Sequence, residues 1–263
     1  MVNLFNQEIK MRKQFYKDRL QIKIFETREK MGLTAAQEAA LYIREELKTK
    51  SELSIVFASA PSQNEFLSSL LEQDIEWQKV NAFHMDEYIG LPHNSPQGFG
   101  NFLKTKIFDK IHLKSVNYLS DLGEDPSQIC KDYSMLLKKS PIDIVFMGIG
   151  ENAHIAFNDP HVALFSDPEI VKIVSLDLTC RNQQVNDGFF SKLEDVPTHA
   201  VTMTIPALLS ARRIFCIVPA PSKANAINAV INGEILEESP ASILRRHNFA
   251  TLYCDKESAK YLL

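Results

Sequence analysis

The chain has 263 residues, 45% of them hydrophobic and 24% charged, with a formal net charge of −4. This suffices for one sizeable core in a single large α/β domain, and a mildly acidic balance argues against nucleic acid or an anionic membrane as partner. The four cysteines, Cys130, Cys180, Cys216 and Cys254, form no CxxC pair and no zinc-type spacing, so they read as buried, reduced thiols.

Residues 1 to about 20 mix charges of both signs and lack the apolar stretch of a signal peptide. They are expected to form a helical extension ahead of an α/β domain over 21–263, and the expected address is the cytoplasm. LQIKIFE (20–26) alternates apolar and polar residues as a half-buried strand does, and Thr34 with Gln37 fits a capping box for the helix that follows. LSIVFA (53–58) suits a buried parallel strand, and Ser62 with Glu65 makes a second capping box. KVNAFHM (79–85) is the next strand, followed by a loop with Gly90, Pro92 and Pro96 and a helix near 98–109. PIDIVFMGIG (141–150) is the clearest strand; IVKIVSL (170–176), AVTMTI (200–205), RIFCIV (213–218) and FATLYC (249–254) come later. A helix, SKANAINAVIN, lies between the last two and ends at Gly233. This alternation predicts a doubly wound, mostly parallel sheet with helices on both faces, a Rossmann-like α/β fold.

In such folds ligands bind at the carboxyl ends of strands. Four segments occupy those ends: ASAPSQ, HMDEYIG, GIGENAH and PAPSK. Gly148, Gly150 and Ala153 scan as a loose dinucleotide fingerprint, but Asn158, Asp159 and Pro160 interrupt the long helix that this motif needs. What remains is a glycine turn followed by Asn152, His154 and Asp159. A histidine between an amide and a carboxylate can be held in one tautomer as an acid or base; equally, a lone histidine can be a satisfied core residue. Asp86 and Glu87 follow a strand directly, where a carboxylate can be a catalytic base, a helix cap or a solvated loop acid. Ser59 and Ser62 precede a helix start, where free N–H groups favour phosphate, and Lys223 adds a positive charge near another.

FHMDEYIGLP (83–92) resembles the F-x-M-D-E-Y-x-G-L-P segment of the glucosamine-6-phosphate deaminases, and GIGENAHIAFNDP (148–160) resembles their G-x-G-x-[DN]-G-H-I-A-F-N-E-P segment. IVPAPSKANAI (217–227) is similar to their phosphate-side lysine segment, and the similarity runs from about residue 20 to the end. The wider superfamily includes 6-phosphogluconolactonases, which typically read D-G-H-T-A-S-L-F-P after the glycines, so His154 to Asn158 stand nearer the deaminases. The resemblance implies that Asp86 takes the C2 proton of an open-chain amino sugar, that His154 assists ring opening with Asn152 and Asp159 beside it, and that Lys223 holds the phosphate. It implies no cofactor and no metal. The implied partner is a small-molecule sugar phosphate; nucleic acid and membrane are not expected, and a homo-oligomeric state is left open.

The departures bear on the substrate. Pro61 removes an N–H donor from the phosphate loop, which reads Ser59-Ala60-Pro61-Ser62-Gln63. Ala153 stands for a glycine, Asn152 for a frequent aspartate, and Asp159 for a glutamate one methylene longer. The family's N-S-R-F-F appears as Asn186-Asp187-Gly188-Phe189-Phe190, so its arginine is missing; Arg181 is the candidate replacement. A sugar-phosphate lactonase and a sugar-phosphate-binding protein without catalysis stand as alternative readings.

Overall fold

The computed structural model describes residues 11–263. Its centre is an eight-stranded sheet. In chain order the strands are β1 (Met11–Lys17), β2 (Leu20–Phe25), β3 (Leu53–Phe57), β4 (Val80–His84), β6 (Ser115–Asn117), β7 (Ile144–Met147), β10 (Arg213–Val218) and β11 (Ala250–Asp255). Across the sheet the order is β1-β2-β11-β10-β7-β3-β4-β6, parallel except for the β1–β2 hairpin. The chain steps from β3 outward to β4 and β6, then returns to place β7 on the other side of β3. That reversal is the topological switch point at which such sheets open a crevice.

Strand residues alternate between two cores, because successive side chains leave a strand on opposite faces. Ile144 and Phe146 of β7 join Phe57, Phe215 and Tyr253 on one face. Val145 and Met147 join Val56, Cys216 and Leu252 on the other. The first face is covered by α1 (Arg28–Leu47), α2 (Asn64–Leu71) and α3 (Phe99–Lys106). The second is covered by α4 (Pro126–Lys139), α6 (Ile205–Leu209) and α7 (Ala224–Asn232). The architecture is therefore the expected α/β fold with helices on both faces.

Several expectations are corrected. Residues 11–17 are not helical: they pair antiparallel with β2 and extend the sheet, the chain reversing through Asp18 at φ +52°. The rest of the expected helical extension, residues 1–10, lies outside the described residues. Thr27, not Thr34, caps α1, accepting from the Lys30 N–H; Thr34 lies within the helix and donates to the Lys30 carbonyl. Ser62 caps nothing, because Pro61–Gln63 forms a 3-10 turn and α2 begins at Asn64; Glu65 pairs with Arg28 instead. The strands expected near 170 and 200 are β8 (Val171–Ser175) and β9 (His199–Met203), but they stand outside the large sheet. With β5 (Asp86–Tyr88) they form a small antiparallel sheet in the order β5-β9-β8. Gly233 does close α7, in extended backbone; a side chain there would lie 2.5 Å from the Ala229 carbonyl oxygen.

Candidate active site

The carboxyl ends of β10, β7, β3 and β4, four consecutive strands of the large sheet, surround one solvent-open cleft. Ser59, Ser62, Asp86, His154 and Lys223 all line it. They come from four separate parts of the chain, and the strand order makes those parts neighbours.

Asp86 and Glu87 take different places among the roles that their sequence position left open. They are successive residues of β5 and so face opposite ways. Glu87 caps a helix across space: its carboxylate accepts from the N–H groups of Phe99 at 3.0 Å and Gly100 at 2.9 Å, at the start of α3, and from Tyr88 at 3.0 Å. Asp86 instead lines the cleft. It is 5% exposed, and among the described residues no group donates a hydrogen bond to its carboxylate. Burial, and then the charge of Glu87, push its carboxyl well above the usual carboxylate range. The neighbouring His84 is fully buried and held near a pKa of about 4 by burial, its Nε2 accepting from the Leu119 N–H. That histidine fastens the end of β4.

His154 sits in the turn after β7. Its Nδ1 lies 2.7 Å from Asn152 Oδ1 and 3.0 Å from Asp159 Oδ1, two acceptors that assign the proton to Nδ1 and leave Nε2 free to act on a bound molecule. Asn152 is itself fixed, donating from Nδ2 to Asp159 at 3.0 Å and to Asp177 at 2.8 Å. Burial works against the Asp159 carboxylate. The hydrogen bond and charge of His154, together with donation from Asn152 and the Asp177 N–H, outweigh it and hold the group below its ordinary value. Gly150 is required by close approach: a Cβ there would fall 2.1–2.3 Å from the His154 ring. Ala153 has φ +66°, which explains why a glycine suits that position. Asn158, fully buried, donates to the carbonyls of Ile155 and Met203 and ties the turn to β9, the neighbour of β5.

The opposite end of the cleft is built from helix starts. Neither α2 nor α7 has a side-chain cap, and the segments leading into both, Ser59 to Ser62 and Pro219 to Lys223, line the cleft. Lys223 is 5% exposed and, among the described residues, no carboxylate pairs with it. Burial lowers its pKa, opposed by the charges of Asp187 and Glu151 and by Cys180. Ala220 holds φ +88° and ψ 146°, a conformation of glycine, with its N–H aimed at Asp255. Ser59 donates to the Phe99 carbonyl, and Ser62 accepts from Gln63, whose amide also reaches the Ile217 carbonyl.

Arg181 is not brought to the cleft. Its guanidinium donates to the carbonyls of Leu193 and Val196, and so it fastens the turn after α5 (Leu178–Asn186). The face of α5 towards the cleft carries Gln183 and Gln184, with Asp187 just beyond the helix. Gln183 accepts from the Glu151 N–H and donates to Asp187. The arginine that does line the cleft is Arg28, held by Glu65 and the Pro61 carbonyl. Sequence reasoning missed Arg28, Gln183, Gln184 and Asp187. The one available signal was the Gln183-Gln184 pair in a polar stretch, and it acquires meaning only once α5 is packed.

The profile described as glucosamine-6-phosphate isomerases/6-phosphogluconolactonase matches residues 26–253. A glucosamine-6-phosphate deaminase of Bacillus cereus (strain B4264) is 33% identical over 216 residues, 82% of this chain and 80% of that protein. One of Bacillus cytotoxicus is 31% identical over 239 residues, 91% and 88% of the two chains. Among solved structures, a monomeric glucosamine-6-phosphate deaminase superposes with a TM-score of 0.81 at 26% identity, covering 91% of this chain and 98% of that one. A 6-phosphogluconolactonase from Thermotoga maritima, at TM-score 0.73 and 18% identity over 90% of this chain and all of that one, shares the fold.

Proposed function

The chain belongs to the glucosamine-6-phosphate isomerase/6-phosphogluconolactonase family, and from that premise we propose that it deaminates and isomerises a hexosamine 6-phosphate, giving fructose 6-phosphate and ammonia. One observation carries the reading: a buried carboxylate at Asp86, without a partner among the described residues, lines the same cleft as a histidine whose Nδ1 is committed to Asp159. A C2 proton beside a carbonyl needs a positioned base, and burial raises the Asp86 carboxyl well above its ordinary range, which makes its carboxylate a stronger base. His154 Nε2 takes the proton of the anomeric hydroxyl and passes it to the ring oxygen, which opens the pyranose. Asp159 stabilises the transient imidazolium.

With the aldehyde exposed, Asp86 moves the C2 proton to C1. The C1 oxygen gains a proton as the amine loses one, so C1 becomes a hydroxymethyl carbon and C2 an imine carbon; water adds at C2, ammonia leaves, and a new carbonyl stands at C2. The electrons shift within the substrate's own amine and carbonyl. At the other end, Lys223 and the uncapped starts of α2 and α7 suit a phosphate, which gains from a cation and from free N–H groups together.

The test is an ammonia-release assay over a panel of hexosamine 6-phosphates with fructose 6-phosphate measured in parallel. Asp86→Asn keeps size and polarity but removes the base, and turnover is expected to fall by at least about 10²-fold while calorimetry still shows binding. Hydrolysis of a phosphosugar lactone without ammonia release would overturn the reading, as would full activity in Asp86→Asn.

A further inference from the structure

Cys180 is a buried thiol that the proposed reaction does not use, yet it lies inside the proton-relay cluster. It occupies the first turn of α5, its N–H donating to the capping carboxylate of Asp177 at 2.6 Å, and it is fully buried. Donor atoms of His154, Asp159 and Cys180 all lie within 4.8 Å of one another. We propose that these three side chains form a site for one soft divalent cation, zinc or its chemical equivalents, whose binding disables the cleft.

The donor set selects the metal class. One imidazole, one thiolate and one carboxylate suit zinc, cobalt or nickel and exclude magnesium and calcium, which take oxygen ligands. Zinc bonds of roughly 2.0–2.3 Å at tetrahedral angles put donor atoms roughly 3.3–3.7 Å apart. His154 Nδ1 and Asp159 Oδ1 stand 3.0 Å apart already, so that pair opens by only a few tenths of an ångström. The carboxylate is also held from behind, as metal ligands are: Asn152 Nδ2 and the Asp177 N–H donate to Asp159 at 3.0 and 3.1 Å. His154, which lines the cleft, gives the ion a path in, and three protein ligands leave the fourth position to water.

The step is written for an imidazole carrying one proton, on Nδ1, beside a thiol and a carboxylate. The cation takes Nδ1, the imidazole proton moves to Nε2, and Cys180 releases its proton to solvent. A cluster of charge −1 plus M²⁺ becomes a neutral complex plus H⁺. Nε2, now protonated, can no longer accept the anomeric proton. Inhibition therefore rests on the function proposed above, whereas binding rests on the geometry alone.

The experiment titrates the full-length protein with cobalt(II) and zinc(II) chloride. One equivalent of cobalt is expected to produce thiolate-to-cobalt charge-transfer absorption in the near ultraviolet. Zinc calorimetry is expected to give one site and one released proton, read from the dependence of heat on buffer ionisation enthalpy. Cys180→Ser and Asp159→Asn should each lose the absorption band and weaken zinc at least about tenfold, and His161→Ala, which removes the alternative group Asp159–His161–Asp177, should change neither. Zinc should suppress ammonia release in the wild type, reversibly with a chelator, and leave the residual activity of Cys180→Ser unaffected. A band that persists in Cys180→Ser, or no band at all, would overturn the site. A thiolate band in a protein that never releases ammonia would establish the site and reject the enzymatic reading instead.

Discussion

Asp86 is a site residue held in an environment that opposes its charge. Its folded pKa is raised above the ordinary 3.8 by burial and by Glu87. A group raised in this way contributes its full stability below the unfolded pKa and loses it as pH rises through the folded pKa. Asp86→Asn removes that loss. The variant is expected to match the wild type below about pH 4 and to exceed it at neutral and alkaline pH, by about 1–3 kcal/mol, the usual cost of an uncompensated buried polar group. Glu87 titrates in both proteins and cancels. Urea unfolding of the two proteins from pH 3 to pH 9 measures the difference, and a gap that stays constant with pH would refute the argument. A stabilised but inactive variant is what a strained site predicts.

Helix contacts decide what local propensity cannot. Gly32 lies inside α1, where replacing glycine by alanine ordinarily gains about 1 kcal/mol. Here α2 crosses directly above it: a Cβ at Gly32 would lie 2.8 Å from the Glu65 carbonyl carbon, the Glu65 Cβ and the Phe66 nitrogen. Two of those atoms are backbone, so relief requires the helices to part. Gly32→Ala is expected to destabilise the protein by about 1–3 kcal/mol, as overpacking does. A rise in the urea midpoint would show that α1 and α2 pack more loosely than described. The same contact matters to the cleft, because Arg28 of α1 binds Glu65 of α2 and the Pro61 carbonyl in the loop that borders it.

Across the whole molecule, ligand binding and stability are linked. A ligand at one hundred times its dissociation constant adds about 2.7 kcal/mol to the folded state. At about 2–4 °C per kcal/mol for a chain of this size, Tm rises by roughly 5–10 °C. A hexosamine 6-phosphate that the cleft recognises should produce such a shift in scanning fluorimetry. Lys223→Ala should cut the shift by more than half at equal ligand, without lowering the Tm of the free protein, because it removes a buried ammonium that no carboxylate among the described residues pairs. An undiminished shift would remove Lys223 from the site.

The alternation of strands and helices was legible in the residues alone, since buried parallel strands such as residues 144–147 and 213–218 are short apolar runs; the similar runs at β8 and β9 also form strands, but which sheet they join is not written in them. Also legible were the four strand-end segments, because glycine turns and polar clusters break those runs abruptly. Tertiary structure decided the rest. The charged stretch 11–17 is a strand because the edge of β2 offers it hydrogen-bond partners, a contact that periodicity does not encode. Asp86 and Glu87 are adjacent and chemically alike; the start of α3, twelve residues downstream, claims one and leaves the other in the cleft. Arg181 turned away from the cleft and Arg28 turned into it for the same reason: an arginine's role is fixed by which carbonyls and carboxylates packing brings within reach, and those partners lie 12–15 residues from Arg181 and 33–37 from Arg28.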